Sequence, residues 1–509
     1  MVTDYGNREP YARLVVTCSP DGEAATMRPP IGWTSLMATD PKWMAVASLL
    51  WLACGSTDGG DGPFGDAGDL ENVAGGSHVD GGQGGEGSGG RGGDARGVVG
   101  AGASDGGGDA SKADPPRRFL LASTGTQLRI DGPRVGLQLT EANLAADVDV
   151  VAVHQEFYGV PWQAFRDGTE PPPQWSATMA ELSASAHALS DRVFLSISML
   201  DGQRESLAER TMIEDGQPKG EDGWAARCYD FATAADGPQL RDAYLRYVEH
   251  MVETFEPTYL NFAIEVNLFL EKCPAAAPGL IEVADAAYAA AKSGRPDVIA
   301  FPSFQIDHLY GHADDSCPAG MDQTACFDRN YAQIADMQRD RFAMSSYPFL
   351  QGRRVEDVSD DHFARGPARG GERGLIAETG WLSTGLVAQN GLQCDTVIAA
   401  SEADAAAYLE RVLSDADRLP LELVTWWSNR DLLPAGLMTN CPCDYGPTWC
   451  EVVDVFRSAG GGPRTPDAEY FGEILLKAFG TMGLRDYDGQ LKRSLAIPWE
   501  AARMRPIAP

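Results

Sequence analysis

Positive charge is scarce in this chain of 509 residues: 41 Lys and Arg stand against 73 Asp and Glu, a formal net charge of −32. Such a surface repels phosphate backbones, which excludes nucleic acid as a partner and disfavours polyanions generally. Histidine is also rare, with 7 in all. His308 and His312, beside Asp314, Asp315 and Cys317, have the right chemistry for zinc. Gly311 interrupts any regular helix face between them, so neither a metal nor another cofactor is expected. No Gly-rich phosphate turn follows an apolar run, which argues against a doubly wound nucleotide-binding sheet. The apolar stretch Met44–Ala53 is too short to cross a bilayer as a stable helix.

Large apolar side chains are nearly missing from residues 55–114, where Gly dominates with scattered Asp and Ser. Such a segment cannot bury enough surface to fold and reads as a flexible tether. Its Gly-Asp repeats lack the nonapeptide order of calcium-binding β-rolls. Just upstream, Lys42, the short apolar stretch and Ala53-Cys54 make a secretory signal. It resembles a bacterial lipoprotein signal, with Cys54 as the lipidated first residue after cleavage. Trp51, three positions before Cys54, departs from that motif, and an uncleaved N-terminal anchor is the alternative. Residues 1–36 carry no targeting logic, so Met37 is read as the start. The expected organisation is an extra leader (1–36), a signal peptide (37–53), a disordered Gly/Asp-rich linker (54–115) and one folded domain (116–509). The protein would be exported and held at the cell envelope by lipid alone, as a monomer.

After residue 145 the chain alternates short apolar runs with amphipathic segments. The strand-like runs are Val150–Val153, Val193–Ile197, Tyr259–Ile264, Val298–Phe304, Phe342–Ser346, Leu375–Ala377 and Leu421–Trp426, rich in β-branched and aromatic residues. Between them, Leu240, Tyr244, Val248, Met251, Val252 and Phe255 recur at helical spacing. Ser401-x-x-Asp404 opens a further helix as a capping box, with Tyr408, Leu409, Val412 and Leu413 on its apolar face. Gly294 and Pro296 end a helix that starts near Gly279. An eighth strand is either Arg118–Ala122 or Arg134–Leu139. Eight strand-helix units over about 390 residues predict an α/β fold, a (β/α)8 TIM barrel with long βα loops.

Two of these runs stop at a carboxylate: Tyr259-Leu-Asn-Phe-Ala-Ile-Glu265 and Gly374-Leu-Ile-Ala-Glu378. Counted along the barrel, Glu265 ends strand four and Glu378 ends strand seven, both on the C-terminal rim where barrel enzymes place their chemistry. A solvated strand end or a salt bridge would account for either glutamate alone. Two on one rim supply the acid and the nucleophile of a glycosidase. Trp426-Trp427 ends strand eight; alternation sends one indole toward the mouth as a sugar platform and the other toward the helices. His154 and Glu156 after strand two, and Asp201 after strand three, are polar breaks that line subsites or merely start loops.

At these residues the chain resembles glycoside hydrolase clan A, and within it the arabinogalactan endo-β-1,4-galactanases of family 53, with a weaker likeness to β-1,3-glucanases. The likeness covers roughly 145–435. It is carried by Ala263-Ile-Glu265-Val-Asn267, Ser345-Ser-Tyr347-Pro-Phe349 and Ala377-Glu378-Thr-Gly-Trp381. It implies Glu265 as acid/base, Glu378 as nucleophile, and the Tyr347 hydroxyl beside Glu378. Asn267 and Trp381 join Tyr347, Trp426, Trp427, His154, Glu156 and Asp201 as the expected sugar-binding set. Two departures stand out. Ile264 occupies the place where the clan has an Asn that binds the sugar 2-hydroxyl, and no Arg stands on strand two in Val-Ala-Val-His154-Gln-Glu156. The expected activity is retaining hydrolysis of a neutral polysaccharide or oligosaccharide, with the carboxyls about 5–5.5 Å apart; a catalytically inactive glycan-binding barrel is the alternative.

Of 10 cysteines, eight lie in the folded domain: Cys228, Cys273, Cys317, Cys326, Cys394, Cys441, Cys443 and Cys450. An even number in an exported chain points to disulfides stapling the loops, each lying after a strand and before the next helix. Sequence nearness pairs Cys317 with Cys326 and Cys228 with Cys273; Cys394 would join one of the last three. Zinc at Cys441, Cys443 and Cys450 is the alternative.

Overall fold

The computed structural model describes residues 115–508, apart from 132–133, 140, 215, 222, 313–315, 319 and 459–465. The expected leader, signal, lipidated Cys54 and tether lie outside the described residues. Eight parallel strands close into a barrel. They are β1 (Leu120–Ser123), β2 (Val150–His154), β3 (Val193–Ser196), β4 (Tyr259–Ala263), β5 (Ile299–Gln305), β6 (Phe342–Ser346), β7 (Gly374–Thr379) and β8 (Leu421–Trp426). Closure comes from β1, which pairs with β8 from Leu120↔Leu423 to Ser123↔Trp426 and with β2 at Ala122↔Val150.

All seven predicted strands form, and the first strand, Leu120–Ser123, overlaps the earlier of its two alternatives. Arg134–Leu139 instead pairs antiparallel with Thr126–Asp131 in a hairpin. The reason is readable in composition: β1 continues an apolar run from Phe119, as a strand buried on both faces must, whereas Arg134–Leu139 alternates polar and apolar residues.

The outer layer contains α1 (Glu141–Asp147), α2 (Pro173–Leu189), α3 (Gly237–Phe255), α4 (Ala277–Gly294), α5 (Gln323–Tyr331), α6 (Arg365–Gly370), α7 (Glu402–Arg418) and α8 (Arg493–Met504). The apolar stripe read on α3 is buried along its length. The Ser401 side chain caps α7 by accepting from the Asp404 amide. α8 packs on α7, and the Trp499 indole donates to the Asp147 carbonyl at 2.7 Å, tying the last helix back to the first.

Inside the barrel, alternation sorts side chains into layers. Leu120, Ala122, Val150, Ala152, Phe194, Tyr259, Phe301, Ala343, Leu375 and Leu423 form one buried apolar cluster. Two residues further along, toward the C-terminal ends, the inward positions become His154, Ser196, Asn261, Ser303, Ser345 and Thr425, all buried. The mouth is therefore polar where the floor is apolar.

Long excursions crown that mouth: hairpins at Arg210–Glu214/Gln217–Glu221 and Thr384–Asn390/Gln393–Ser401, and helices at Pro447–Ser458 and Pro466–Ala478. Four disulfides staple the segments that follow the strands: Cys228–Cys273, Cys317–Cys326, Cys394–Cys441 and Cys443–Cys450, with Cα separations from 5.2 to 5.8 Å. Both pairings read from sequence nearness form, and Cys394 joins Cys441. All three cysteines of the zinc alternative are used in disulfides. The expected placement needs one correction: Cys326 sits inside α5, Cys450 inside a helix and Cys394 on a hairpin strand. Loops this long carry secondary structure of their own.

Candidate active site

Each glutamate is delivered by a break in strand regularity. Along β4 the register with β5 shifts between Asn261 and Ala263, and Glu265 follows with φ at 48°. Asn261 and Ser303, neighbours in the polar layer, fix this turn. Ser303 Oγ accepts from the Glu265 amide at 3.0 Å and from Asn261 Nδ2 at 3.0 Å. Asn261 Oδ1 accepts from the amides of Ala263 (3.3 Å) and Ser303 (3.2 Å). On β7 the register with β6 passes from Met344↔Ile376 to Ser345↔Glu378, leaving Ala377 as an extra residue. Such a bulge re-aims the side chain that follows. Glu378 therefore reaches the mouth, while Thr379 turns outward, its Oγ1 donating to the Ser346 carbonyl at 2.8 Å and lying 2.9 Å from the Tyr408 hydroxyl.

Tyr347 stands directly after β6, and its hydroxyl donates to Glu378 Oε2 at 3.2 Å. The tyrosine is braced from below, because its amide donates to Asp307 Oδ2 at 2.9 Å. Asp307 also accepts from Ser346 Oγ at 3.2 Å, which lies 2.8 Å from His362 Nε2. Phe479, from the segment after β8, packs edge-on against the Tyr347 ring at 5.3 Å.

A third carboxylate and a guanidinium complete the cluster. Glu156 opens the short turn after β2. Arg204, in the loop after β3, is fully buried; its Nη1 donates to Glu156 Oε1 at 2.9 Å, and its Nε lies 3.7 Å from Glu265 Oε2. Among the described residues four non-glycines have positive φ, and two of them, Arg204 (58°) and Glu265 (48°), form this contact. Backbone held in a sparsely populated region costs energy and concentrates at functional sites. His154 Nδ1 lies 3.6 Å from Glu378 Oε1, and its ring meets Trp427 edge-on at 4.7 Å.

Burial dominates the electrostatics. It raises Glu265 to about 7, with Glu156 adding to the effect and Arg204 opposing it. Burial likewise pushes Glu378 well above the ordinary carboxylate range, helped by the charges of Glu265 and Glu156 and opposed by Arg204 and the Tyr347 hydroxyl. Glu156 is raised for the same first reason, against the pull of Arg204. Burial would lower Arg204, but the three carboxylates around it raise it, so it stays charged. One cation faces three buried carboxylates, so Glu265 and Glu378 titrate as a pair, the charge of one raising the other. His154 is lowered to about 3 by burial and by Arg204, leaving the imidazole neutral.

The fold thus brings together Glu265, Glu378, Tyr347, His154, Glu156 and Trp427. The Trp pair divides as alternation requires: Trp426 turns outward, its indole donating to the Met482 carbonyl at 2.7 Å and packing by Tyr408. Three expected sugar-binding residues make contacts with the protein itself. Asn267 clamps the end of β5, donating to the Gln305 carbonyl at 3.1 Å and accepting from its amide at 2.8 Å. The Asp201 carboxylate accepts from the amides of Glu205 (2.9 Å) and Ser206 (3.2 Å), and its carbonyl takes Arg204 Nη1; it shapes the loop that presents Arg204. Trp381 packs between Phe349 and Tyr408. Arg204 escaped the sequence reading because Gln203-Arg204-Glu205 looks like any polar loop. Ile264 is fully buried and supplies no donor beside Glu265. His308 contacts Glu271, and His312 contacts Arg353.

No family model matches the sequence, and no curated protein matches it. Among solved structures the chain is similar to the exo-β-1,4-mannosidase Op5Man5 from Opitutaceae bacterium strain TAV5, at 14% identity over 78% of this chain and 62% of that one, with a TM-score of 0.45. A GH5_18 protein from Bifidobacterium longum subsp. infantis shares 13% identity over 78% of this chain and 80% of its own (TM-score 0.42). A fungal β-1,4-galactanase shares 11% over 75% and 99% (TM-score 0.43). Likeness at this level is one of barrel architecture, and the chemistry rests on the site itself.

Proposed function

We propose that this protein is a retaining glycoside hydrolase acting on a neutral polysaccharide or oligosaccharide. The observation that carries the reading is the pair of buried carboxylates at the ends of β4 and β7, one of them accepting a tyrosine hydroxyl. Glu378 attacks the anomeric carbon as the carboxylate, with Arg204 and the Tyr347 hydroxyl opposing the rise that burial and Glu265 impose on it. Glu265 starts protonated, gives its proton to the leaving oxygen, and then takes a proton from the water that hydrolyses the glycosyl-enzyme. Trp427 offers an apolar face to the sugar ring. The acidity of chain and site fits an uncharged glycan. Glu378→Ala should abolish turnover, and azide, small enough to enter the space left by the side chain, should restore part of it as a glycosyl azide. Full activity in Glu378→Ala would end the proposal.

Ile264 favours a second reading, a barrel that binds glycans without cleaving them; saturable binding with no hydrolysis of any neutral glycan would establish it. For placement, we propose export as a monomer attached through a lipid on Cys54, a reading in keeping with four disulfides, which persist in oxidising compartments. A mature N-terminus at Cys54, and release from membranes by Cys54→Ala, are the expected results; a different mature N-terminus would refute it.

A further inference from the structure

The part of the mouth after β2 and β3 holds a set of buried polar atoms without full partners. His154 Nε2, Glu156 Oε2 and Arg204 Nη2 have no protein hydrogen-bond partner among the described residues, and His154 Nδ1 and Arg204 Nε have only a carboxylate oxygen beyond hydrogen-bond distance, at 3.6 and 3.7 Å. Leaving one such atom unpaired is costly, and ordinary cores pair nearly all of them. Here three such atoms gather on three neighbouring side chains beside the two glutamates. Their chemistry is that of a hydroxyl reader: the guanidinium offers N–H donors, the carboxylate accepts, and the neutral imidazole does one of each. A sugar hydroxyl both donates and accepts, so one pyranose can satisfy the set.

The two glutamates lie deep in this mouth. Glu265 is 1% exposed and Glu378 2%. Residues 479–492, after β8, are bound firmly to the rim. Arg485 makes two hydrogen bonds to Asp147, at 2.7 and 2.9 Å. Lys492 donates to Asp431 at 2.5 Å and to Ser383 at 2.7 Å, and Phe479 sits on Tyr347. A polymer lying across the glutamates would need an open groove on both sides of them.

We infer that the site takes only chain ends: it holds the single terminal sugar at the non-reducing end of a neutral oligosaccharide, whose hydroxyls are read by His154, Glu156 and Arg204. The inference rests on the glycosidase reading. In that mechanism the nucleophile bonds to the anomeric carbon of the glycone, so groups next to Glu378, such as His154 at 3.6 Å, face the glycone. Closure of that side by these groups would leave room for no further unit.

The test uses the full chain with para-nitrophenyl β-D-mannoside, β-D-glucoside and β-D-galactoside, and with borohydride-reduced β-1,4-linked oligosaccharides of the same sugars. Turnover of at least one aryl monoglycoside is expected, with the matching oligosaccharide losing one sugar at a time from its non-reducing end. First products of two or three sugars from internal cleavage would overturn this inference and leave the glycosidase reading standing; no turnover of any probe would overturn both. Arg204→Lys and Glu156→Gln should each raise KM for the aryl glycoside ~10-fold, the loss of about one charged hydrogen bond. The effect should vanish on the deoxy-glycoside lacking the hydroxyl that the residue reads. An equal loss on every deoxy-glycoside would mark the pair as structural only. Should a variant fail to fold, product size with the unaltered chain decides.

Discussion

The floor and the mouth of this barrel are built by the same eight strands and are buried to the same degree, yet they are opposite in chemistry. Phe194 and Phe301 on the floor are shielded from solvent as fully as Glu265 and Glu378 at the mouth. On the floor, strict alternation sends apolar side chains inward, and burial stabilises the fold. At the mouth the alternation breaks, at the β4 and β7 register shifts and at the left-handed Glu265 and Arg204, and burial there opposes folding by desolvating charge. Equal burial with unequal chemistry separates the part of the barrel that holds it together from the part that works.

That contrast can be broken at either end. Phe301→Ala should destabilise the fold by about 3–5 kcal/mol, the usual cost of emptying an aromatic site in a core. Denaturant titration would show it, while kcat per folded molecule should change little; a large kcat defect would mean that the floor takes part in the chemistry. Tyr347→Phe is the converse. It removes the hydroxyl from Glu378 and should lower kcat roughly 10- to 100-fold, as expected for a hydrogen bond to a charged group, with only a small change in stability. A loss of fold in place of activity would move Tyr347 into the structural class.

The smallest effect is on pH. Glu265 is raised to about 7 from an ordinary carboxylate value near 4.5, so the folded protein holds this proton where the unfolded chain has lost it. Its stability contribution is complete below pH 4.5 and is lost as pH rises through about 7. Asp431, raised to about 7 by burial against the pull of Lys492, acts in the same sense. His154 and His362, each lowered to about 3 chiefly by burial, act oppositely, and their part is complete above pH 6.5. Between pH 6.5 and 8 the melting temperature should therefore fall, and Glu265→Gln should flatten that fall. A slope unchanged in the variant would show that Glu265 does not titrate in this window. Activity should decline over the same interval as the acid loses its proton.

Much of this was legible in the sequence for a physical reason. Parallel strands buried on both faces are nearly continuous apolar runs, so seven could be bounded to within a few residues, and a carboxylate closing such a run marks a rim position. The Trp426-Trp427 pair was sorted by alternation alone. Less legible was where a polar side chain spends its hydrogen bonds. Asn267 and Asp201 carry the same kinds of atoms as sugar-binding groups, but backbone amides made adjacent by folding claim them. Arg204 is the reverse case: an unremarkable loop residue that the β3 excursion turns inward between Glu156 and Glu265.

The retaining mechanism requires Glu378 to form a bond to the sugar, and this can be seen directly. The protein should be incubated with activated 2-deoxy-2-fluoro glycosides of the sugar selected by the aryl glycoside panel, since the fluorine slows breakdown of a glycosyl-enzyme. Intact-mass spectrometry should then show the addition of one fluoroglycosyl group, and peptide mapping should place it on Glu378. A hydrolytically active protein that gains no such mass, or carries it on another residue, would contradict the retaining mechanism assigned to Glu265 and Glu378.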